Sequence, residues 1–454
     1  MLIKHKILFV IFYFIVFSSS FSYIAPVYES PDENAHLEFI NYVTKYQELP
    51  DQYEGMTNKE KSVGQGHQHP FYYILTGFLN YALNDGSIIH INSRFNKLHE
   101  WNGGNTFSVP YFYNDRNDVF NTAADKHMFY FFRILSVLFG ALNIFLVYKI
   151  TKLITNNELF SLLTAFLMAS IPQFAFITGM INNDNLANLM STVCLYMIVK
   201  VFKHNGYSIK LAVTLGIVLG IAVLTKKTLM FLPPGVVMML FYKSVFIEKE
   251  FKNSLRYLAV ILSITLLISI WYFVRNSIVY NDVFGTQMEI VTMPELVNKK
   301  SLFSYYFISR FLSGLLNSFI GSFGWMYIRI PLYIHLFYLV LGFAAVFGFI
   351  RSKIIQNRYL FNIAILMTLF VLLCLIGITF FNLTYTQHQG RYMFPVISFI
   401  VIILSLGLKY FTGLYKNYIS RRILIISVIT ALVIFDFICL FTVYSFYNRP
   451  SIYL

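Results

Sequence analysis

Residues 7–36 of the chain read ILFVIFYFIVFSSSFSYIAPVYESPDENAH. The first part of this stretch, Ile7 to Ile24, is almost wholly apolar and long enough to cross a membrane as a helix. The polar part follows closely and contains the acidic doublet Asp32 and Glu33, with His36 just behind. Carboxylates and an imidazole are costly to place at the mouth of a membrane span. Their position therefore predicts chemistry at a membrane surface.

The composition of the chain is typical of a membrane protein. Of its 454 residues, 57% are hydrophobic and only 12% are charged, whereas a soluble domain carries about 25% charged residues. Apolar runs long enough to span a bilayer recur along the whole length. The sequence therefore predicts a single all-α polytopic membrane domain over residues 1–454.

The formal net charge of +14 is explained by topology. The basic residues cluster in short polar gaps between apolar runs, which is typical of loops that stay on the cytoplasmic side. In a soluble protein such a charge could indicate nucleic-acid binding, but the membrane setting accounts for it here. We expect membrane lipids around the protein and no nucleic-acid partner.

The apolar runs predict about eleven transmembrane helices. If their number is odd, the basic gaps all fall on one side, and the positive-inside bias makes that side cytoplasmic. We therefore expect an integral protein of the cytoplasmic membrane whose functional face is extracytoplasmic. The approximate bounds of the predicted spans are 7–24, 129–150, 158–178, 185–202, 209–225, 229–246, 255–275, 331–350, 360–381, 392–409 and 423–445.

Two large elements are predicted on the outer face. One is the first loop, residues 25–128, in which we expect interfacial helices, and the other covers residues 276–330. Within the second, the segment Tyr305 to Trp325 is apolar enough to span, but a span there would move every later basic loop to the outside. The segment is also rich in Gly, Ser and Asn. We therefore expect a helix that lies at the interface or re-enters the membrane.

The polar segment after the first span supports two interpretations. Ser30 as N-cap, Pro31 at the first helical position and Glu33 at the third would form a capping box, which is a structural role. Asp32 and His36 are four residues apart and would share one helix face, where a carboxylate could act as general base on a hydroxyl. The spacing alone leaves both interpretations open, and Asp32 and Glu33 are the catalytic candidates.

Two further polar motifs are predicted on the outer face. The motif His67-Gln68-His69-Pro70 precedes an aromatic run; His69 is a candidate substrate contact, while a metal site lacks further ligands nearby in sequence. The motif Asn182-Asn183-Asp184 lies between two spans. It could simply cap the next helix, or Asn183 and Asp184 could form a polar wall of an outward-facing cleft.

Four basic residues are predicted at the outer ends of spans. Lys226 and Lys227 depart from the positive-inside bias, so they either snorkel to lipid head groups or bind a specific lipid phosphate. Arg391, preceded by Gln389, begins one span and should pair with an anion, and Arg275 ends another. Together with the acidic doublet, these cations suit a reaction between a sugar hydroxyl and a phosphate-linked donor, because they could stabilise the leaving phosphate.

In this order the motifs resemble those of the GT-C superfamily of integral-membrane glycosyltransferases. Along the chain they read Pro-Asp-Glu-x-x-His, His-Pro-x-Tyr-Tyr, Asn-Asn-Asp, Leu-Thr-Lys, Ser-Phe-x-Gly-x-Phe-Gly-Trp and Gln-Gly-Arg-Tyr-x-Phe-Pro. The chain is most similar to a poorly characterised bacterial branch related to protein O-mannosyltransferases and aminoarabinose transferases. The resemblance extends from Pro31 to Pro395 and implies a GT-C-like helical bundle.

The resemblance implies an inverting transfer of a hexosyl or pentosyl group from a polyprenyl-phosphate carrier to an extracytoplasmic acceptor, a cell-envelope glycan or lipid. In such enzymes an acidic residue of the first outer loop acts near the acceptor, and that role carries to Asp32, with Glu33 beside it. Protein mannosyltransferases have an added soluble domain in a later loop that has no counterpart here, which argues against a protein acceptor. The expected substrate contacts are His36, His69, Asn183, Asp184, Lys226, Lys227, Arg275, Gln389 and Arg391, of which the basic residues would hold the carrier phosphate.

Two other functions stay open. A transporter or flippase of a lipid-linked glycan would favour charged or broken helices at mid-membrane, whereas the ionisable residues here lie mostly at span ends, with Asp436 the main exception. A non-catalytic membrane scaffold would tolerate charge-neutral changes at Asp32, Lys226 and Arg391. The motifs require no cofactor, although the Asp-Glu-x-x-His motif could hold a divalent cation such as Mg²⁺ or Mn²⁺.

Overall fold

The protein is a helical bundle with a layer of shorter helices at one end. The computed structural model describes residues 6–51, 65–95, 111–112, 119–204, 206, 208–292, 297–352, 354, 356–415 and 417–448. Within these ranges, β-structure is limited to two short antiparallel strand pairs and two isolated bridges. Helices follow from the composition, because a bilayer requires every backbone polar group of a spanning segment to be satisfied internally.

Nine helices of the described chain are long and apolar enough to cross a membrane. This agrees with the long apolar runs of the sequence, each of which forms a helix. The nine are α1 (Lys6–Ile24), α4 (Ala123–Thr155), α7 (Asn183–Lys203), the composite helix Lys227–Glu248 that contains α9 (Leu232–Lys243), α10 (Phe251–Tyr280), α13 (Leu332–Arg351), α14 (Arg358–Thr384), the composite helix Gly390–Leu414 that contains α15 (Ile397–Leu414), and α16 (Tyr418–Tyr447).

The two remaining predicted spans are helical but irregular. Residues 158–178, expected as one helix, form α5 (Glu158–Ala169) and α6 (Pro172–Thr178), which are bent by 70° at the break. Pro172 at the start of α6 explains the break, because proline has no N–H to continue the ladder of the preceding helix. The other, α8 (Ile209–Thr225), is apolar but shorter than the nine.

The outer layer is built mainly by the first loop. It contains α2 (Glu33–Tyr46) and α3 (Phe71–Leu83), followed by the hairpin β1 (Arg94–Phe95) and β2 (Tyr111–Phe112). The helices α2 and α3 share an apolar cluster with the outer ends of α4 and α7, in which Leu37, Tyr73, Phe129 and Leu186 are buried. This cluster fixes the first outer loop on the bundle.

The second outer element carries helices that are too short to span. A π-helical turn (Tyr306–Phe311) leads into α12 (Leu312–Ile320), after α11 (Thr286–Thr292). The hairpin of β3 (Ser322–Phe323) and β4 (Ile328–Arg329) follows directly. Gly390 lies so close to α12 that an added Cβ would be 2.1 Å from the backbone nitrogen of Phe319. The helix α12 therefore packs tightly on the loop that precedes Arg391.

The capping box expected at the start of α2 is wrong. The helix begins at Glu33, and its N-cap is Asp32, which has a left-handed φ of 66° and makes no side-chain capping bond. The hydroxyl of Ser30 is buried and has no hydrogen-bond partner in the structure. Asp tolerates this backbone region better than most residues. The local geometry aims Asp32 and Glu33 in different directions.

The basic loops contact one another at the end of the bundle opposite the outer layer. Lys203 donates from Nζ to the carbonyl of Leu153 at 3.0 Å, and Lys243 donates to the carbonyl of Val201 at 2.8 Å. Arg358 donates to Phe246 at 3.3 Å across another pair of loops. The bundle thus has one basic end and one end where acids and bases meet.

Candidate active site

A cavity of about 430 Å³ opens between the outer layer and the bundle. One part of its wall is polar and the other apolar. The polar wall consists of Asp32, His36, Gln65, His67, Gln68, His69, Lys226, Lys227, Thr228, Tyr385, Gln387 and Arg391, and the apolar wall of Met230, Phe231, Phe284, Leu373, Cys374, Gly377, Ile378, Phe381 and Tyr392.

Asp32 lies at the polar wall in an ion pair with Arg391. Its Oδ2 accepts a hydrogen bond from Arg391 at 2.5 Å, and its side chain is 30% exposed. Burial would raise the pKa of Asp32, but the positive charges of Arg391 and Lys226 outweigh it and hold the pKa below its usual value. Asp32 is therefore a carboxylate at neutral pH.

Arg391 is held from several sides but is not saturated. Its Nε donates to Oε1 of Gln389 at 2.7 Å, and a second nitrogen lies 3.6 Å from Asp184. The side chain is only 4% exposed. Two of its five N–H groups bond to Gln389 and Asp32, and the guanidinium also contacts Tyr392. The guanidinium can therefore donate further bonds to an anion in the cavity.

Lys226 completes a row of alternating charges with Asp32, Arg391 and Asp184. Its Nζ donates to Asp184 at 2.6 Å and to Oδ1 of Asn183 at 2.8 Å. The row contains two carboxylates and two cations, so it is neutral as a whole. Lys227 then adds positive charge at the cavity wall. Lys226 and Arg391 both line the cavity, and their N–H groups can bind an anionic ligand there.

The Asn182-Asn183-Asp184 motif caps a helix, as one interpretation expected, but it does not form a wall of the cavity. The side chain of Asn182 caps α7 by accepting from the backbone N–H of Asp184 at 2.7 Å. Asn183 and Asp184 lie behind the cations and orient Lys226 and Arg391, but neither lines the cavity. Their contact with a ligand would therefore be indirect, and Gln389 lies behind Arg391 in the same way.

His36 is linked to the cation side through a buried network. Its Nδ1 lies 2.8 Å from the hydroxyl of Tyr73, and that hydroxyl donates to Oε1 of Gln68 at 3.2 Å. Asn183 donates to both Gln68, at 2.5 Å, and Tyr73, at 3.3 Å. Because Lys226 bonds to the oxygen of the Asn183 amide, the orientation of this amide is fixed.

Three histidines of the cavity wall are neutral. Burial, with the charges of Lys226 or Lys227 nearby, lowers the pKa of His36 and of His67 to about 3. Burial lowers the pKa of His69 to about 4. The Nδ1 of His69 lies 2.5 Å from the carbonyl of Val223 in the last turn of α8. A carbonyl only accepts, so Nδ1 carries the hydrogen and His69 caps that helix.

Glu33, the second expected catalytic carboxylate, does not reach the cavity. Its side chain is fully buried against Arg133, with the two charged groups 2.6 Å apart. The same carboxylate also accepts from the backbone N–H groups of Ile181 and Tyr28, each at 3.0 Å. We therefore replace the catalytic role expected for Glu33 with a structural one.

Arg275 also lies away from the cavity. It donates to Asp51 and to the carbonyl of Pro50, each at 2.9 Å. It is not among the residues that line the cavity. The position of Arg275 at the outer end of α10 agrees with the sequence, but the structure pairs it with the first outer loop.

The acidic motif does not fit a divalent cation. Among the described residues, no three His, Cys, Asp or Glu side chains are gathered as a metal site. Glu33 and His36 point to different partners, and Asp32 is already neutralised by Arg391. Nothing in this donor set therefore matches the several oxygen ligands that Mg²⁺ or Mn²⁺ requires.

The sequence did not single out Arg133, Tyr73 or Gln68. Arg133 carried a usable signal, because a charged residue inside a predicted span needs a partner. Tyr73 and Gln68 carried none, since a tyrosine in an aromatic run and a glutamine in a loop are ordinary at an interface. The sequence did not predict the apolar wall from α14 either, because a groove between two spans does not change their hydropathy.

The chain is similar in part to a known sequence family. A family described as dolichyl-phosphate-mannose-protein mannosyltransferase matches residues 125–273. No curated protein matches the sequence significantly.

Solved structures match over nearly the whole chain. ArnT from Cupriavidus metallidurans bound to undecaprenyl phosphate gives a TM-score of 0.55 at 13% identity, covering 97% of this chain and 75% of that one. The Archaeoglobus fulgidus oligosaccharyltransferase in complex with Zn and sulfate gives 0.51 at 14% identity, covering 98% of this chain and 53% of that one. The archaeal oligosaccharyltransferase AglB from the same organism, with an inhibitory peptide and a dolichol-phosphate, gives 0.50 at 13%, covering 99% and 56%.

These likenesses concern the fold. This chain spans about three quarters of the length of ArnT and about half that of the archaeal oligosaccharyltransferases. The resemblance to GT-C membrane glycosyltransferases expected from the motifs is confirmed, and so is the all-α polytopic fold.

Proposed function

We propose that this chain, whose fold is that of the GT-C membrane glycosyltransferases, transfers a sugar from a polyprenyl-phosphate carrier to an extracytoplasmic acceptor with inversion. The acceptor is a cell-envelope glycan or lipid. One observation carries the proposal: a partly exposed carboxylate and unsaturated cations share one cavity with an apolar wall formed by the spanning helix α14. Such a cavity suits a ligand with an anionic head and a lipid tail.

The cations are suited to the carrier phosphate. Lys226 is bound to Asp184 and Arg391 to Asp32, yet both cations keep N–H groups that can bind a ligand. Lys227 lies at the wall of the same cavity. The carrier phosphate gains negative charge as it leaves, so fixed cations stabilise the transition state more than the ground state.

Asp32 is suited to be the general base. In the transfer step the acceptor oxygen forms a bond to the anomeric carbon of the sugar, and the bond from that carbon to the phosphate oxygen breaks. The acceptor hydroxyl gives its proton to the carboxylate of Asp32, and the carrier phosphate leaves with the bonding electrons. Attack opposite the leaving phosphate inverts the anomeric centre.

The ion pair between Asp32 and Arg391 adds an order to this step. A carboxylate bound to an arginine is a weak base, because the cation favours its charged form. A phosphate that takes over the N–H groups of Arg391 would release Asp32 and raise its basicity. Donor binding would thus activate the base.

The apolar wall is suited to the carrier chain. Leu373, Ile378 and Phe381 of α14 face Met230 and Phe231 across the cavity. Gly377 of the same helix meets no atom within 4 Å of where a Cβ would stand, so the groove is open there. The solved relatives support a lipid carrier, because their structures contain undecaprenyl phosphate or a dolichol-phosphate.

The proposed orientation follows from charge. The basic loops meet at the end of the bundle opposite the cavity, and basic loops stay in the cytoplasm. The cavity would then open on the extracytoplasmic side of the cytoplasmic membrane.

A transfer assay tests the proposal. Membranes of a strain that lacks the gene and is complemented with the full chain are given undecaprenyl phosphate that carries labelled mannose, glucose or N-acetylglucosamine. We expect label from at least one donor to enter the glycan or lipid fraction. Asp32→Asn should lower that transfer roughly 10²- to 10⁴-fold, the usual contribution of a general base.

The control is Asp51→Asn, because Asp51 pairs with Arg275 away from the cavity. This variant should keep transfer near the wild-type rate. Transfer that survives Asp32→Asn, or carrier that crosses the membrane with its sugar still attached, would overturn the proposal.

A further inference from the structure

We propose that His36 and Gln68 at the cavity wall, held by the hydroxyl of Tyr73 behind them, form a subsite for the uncharged hydroxyl or amide groups of a sugar, beside the cations that hold phosphate. This inference rests on the proposed function and specifies which residues bind the sugar part of the donor. The subsite belongs to α2, α3 and the loop before α3, whereas the phosphate cations belong to later spans.

The ring of His36 is fixed with one nitrogen available. The residue is 1% exposed and lines the cavity. Its Nδ1 is taken by the hydroxyl of Tyr73 at 2.8 Å, while Nε2 makes no hydrogen bond with the described residues. A buried polar atom at a cavity wall is expected to find a partner, and a ligand group is the partner this wall leaves room for.

The network behind His36 can accept either tautomer. The hydroxyl of Tyr73 lies near both Nδ1 of His36 and Oε1 of Gln68, and it carries a single hydrogen to give. If Tyr73 donates to His36, Nε2 carries a hydrogen and donates to the ligand. If Tyr73 donates to Gln68, His36 donates to Tyr73 and Nε2 accepts. Sugar hydroxyls both donate and accept, so they satisfy the subsite in both states.

The subsite differs in charge from the cations beside it. The pKa of His36 is lowered to about 3, so the imidazole is neutral at physiological pH. Tyr73 and Gln68 are uncharged. A phosphate gains little from neutral groups when Lys226, Lys227 and Arg391 line the same cavity. We therefore expect these neutral groups to bind the uncharged sugar of the donor.

The competing explanation is that the network is purely structural. A substitution of Tyr73 can distinguish this explanation from a role in sugar binding. Its ring stacks on Phe39 with centroids 3.8 Å apart. Tyr73→Phe removes the hydroxyl and keeps that stack. Tyr72 is the matched control, since it is equally buried in the same helix and, like Tyr73, does not line the cavity, but its hydroxyl is not part of the His36 network.

The test compares two kinds of ligand on the purified full-length protein. Binding is measured for undecaprenyl phosphate and for undecaprenyl phosphate that carries mannose, glucose or N-acetylglucosamine. We expect at least one glycosylated carrier to bind wild-type protein more tightly than the bare carrier. His36→Ala and Tyr73→Phe should lower the affinity for that glycosylated carrier alone, by roughly tenfold or less. This is the size expected for one or two hydrogen bonds. Tyr72→Phe should leave the affinity for both kinds of carrier unchanged. Lys226→Ala should lower the affinity for the bare and the glycosylated carrier alike.

The possible failures are distinct. If the wild-type protein binds no undecaprenyl phosphate, the proposed function fails and the subsite fails with it. If the bare carrier binds but none of the three sugars adds affinity, the subsite is wrong while the phosphate site stands. The same holds if Tyr73→Phe weakens both kinds of ligand equally, because a structural role would do that.

Discussion

Two arginine–carboxylate pairs lie side by side in this protein, and they begin at adjacent residues. Glu33 pairs with Arg133 inside the outer layer, and Asp32 pairs with Arg391 at the cavity. The first pair is fully enclosed, whereas Asp32 of the second is 30% exposed. Their chemistry is the same, so the difference in surroundings separates a structural ion pair from a candidate active site.

The enclosed pair has no capacity left for a ligand. All five N–H groups of Arg133 are used: two bonds go to Glu33 and three to the carbonyls of Ser22, Ala25 and Pro26. Glu33 accepts two backbone N–H groups in addition. A buried ion pair is stable only when such further bonds satisfy its remaining donors and acceptors. This pair ties the end of α1 to α2 and α4.

The open pair has capacity on both sides. Asp32 accepts one bond from Arg391, and its other oxygen makes none with the described residues. Arg391 is bound to Gln389 and Asp32 and keeps further donors. Unsatisfied groups of both signs beside an apolar wall indicate ligand binding more specifically than the presence of charged residues alone.

The largest expected effect breaks the enclosed pair. Glu33→Ala leaves the charge of Arg133 buried without its partner, which costs about 3–5 kcal/mol of stability. The midpoint of thermal unfolding in detergent should fall clearly. Asp32→Asn, at the partly exposed pair, should cost less than that, because Asp32 is 30% exposed and Asp184 still lies 3.6 Å from Arg391. Similar losses for the two variants would mean that the pairs do not differ as described.

The next effect separates charge from geometry at the open pair. Arg391→Lys keeps the positive charge but loses the planar fork that can bind Asp32 and a phosphate together. We expect the affinity for undecaprenyl phosphate to fall by about 1.5–3 kcal/mol, the range for a hydrogen bond to a charged group. Isothermal titration measures this loss, and an unchanged affinity would remove Arg391 from the phosphate site.

The cavity side should also respond to pH through its neutral histidines. The pKa of His67 is lowered by burial from 6.5 to about 3 in the folded protein. As pH falls below 6.5, the unfolded state takes up the proton first, so stability decreases until the folded pKa is reached. His67→Gln should reduce the loss between pH 6.5 and 5.5 by about 1 kcal/mol. Unfolding curves at the two pH values measure it, and equal losses would contradict a buried neutral His67.

The smallest effect is expected at Arg275. Its ion pair with Asp51 is partly exposed, with side chains 20% and 37% accessible. Arg275→Ala should therefore change stability by about 1 kcal/mol or less and leave sugar transfer intact. A loss of transfer as large as that of Asp32→Asn would place Arg275 at the reacting groups, against its position in the structure.

The sequence predicted the helices and their shared outer end, because hydropathy and the placement of Lys and Arg are local signals. It also placed Asp32 and His36 on one helix face, and both line the cavity. It could not separate Asp32 from Glu33. The partner of Glu33 is 100 residues away in sequence, and the left-handed conformation of Asp32 that divides them depends on tertiary contacts.

Other parts of the site depend on the same long-range contacts. The expected capping box failed because Glu33 turns to Arg133 rather than back to the start of its own helix. The position of Arg275 at the end of a span suggested that it binds phosphate. In the structure it donates instead to Asp51 and to the carbonyl of Pro50. Motif order therefore indicated the fold, while the assignment of individual charges required the packed structure.

The most direct test is a cryo-electron microscopy map of the full chain with undecaprenyl phosphate. We expect phosphate density with oxygens about 2.7–2.9 Å from Nζ of Lys226 and from the guanidinium of Arg391, a lengthened contact between Arg391 and Asp32, and the lipid chain along α14. Phosphate bound elsewhere, with the Asp32–Arg391 pair unchanged, would contradict the proposed site.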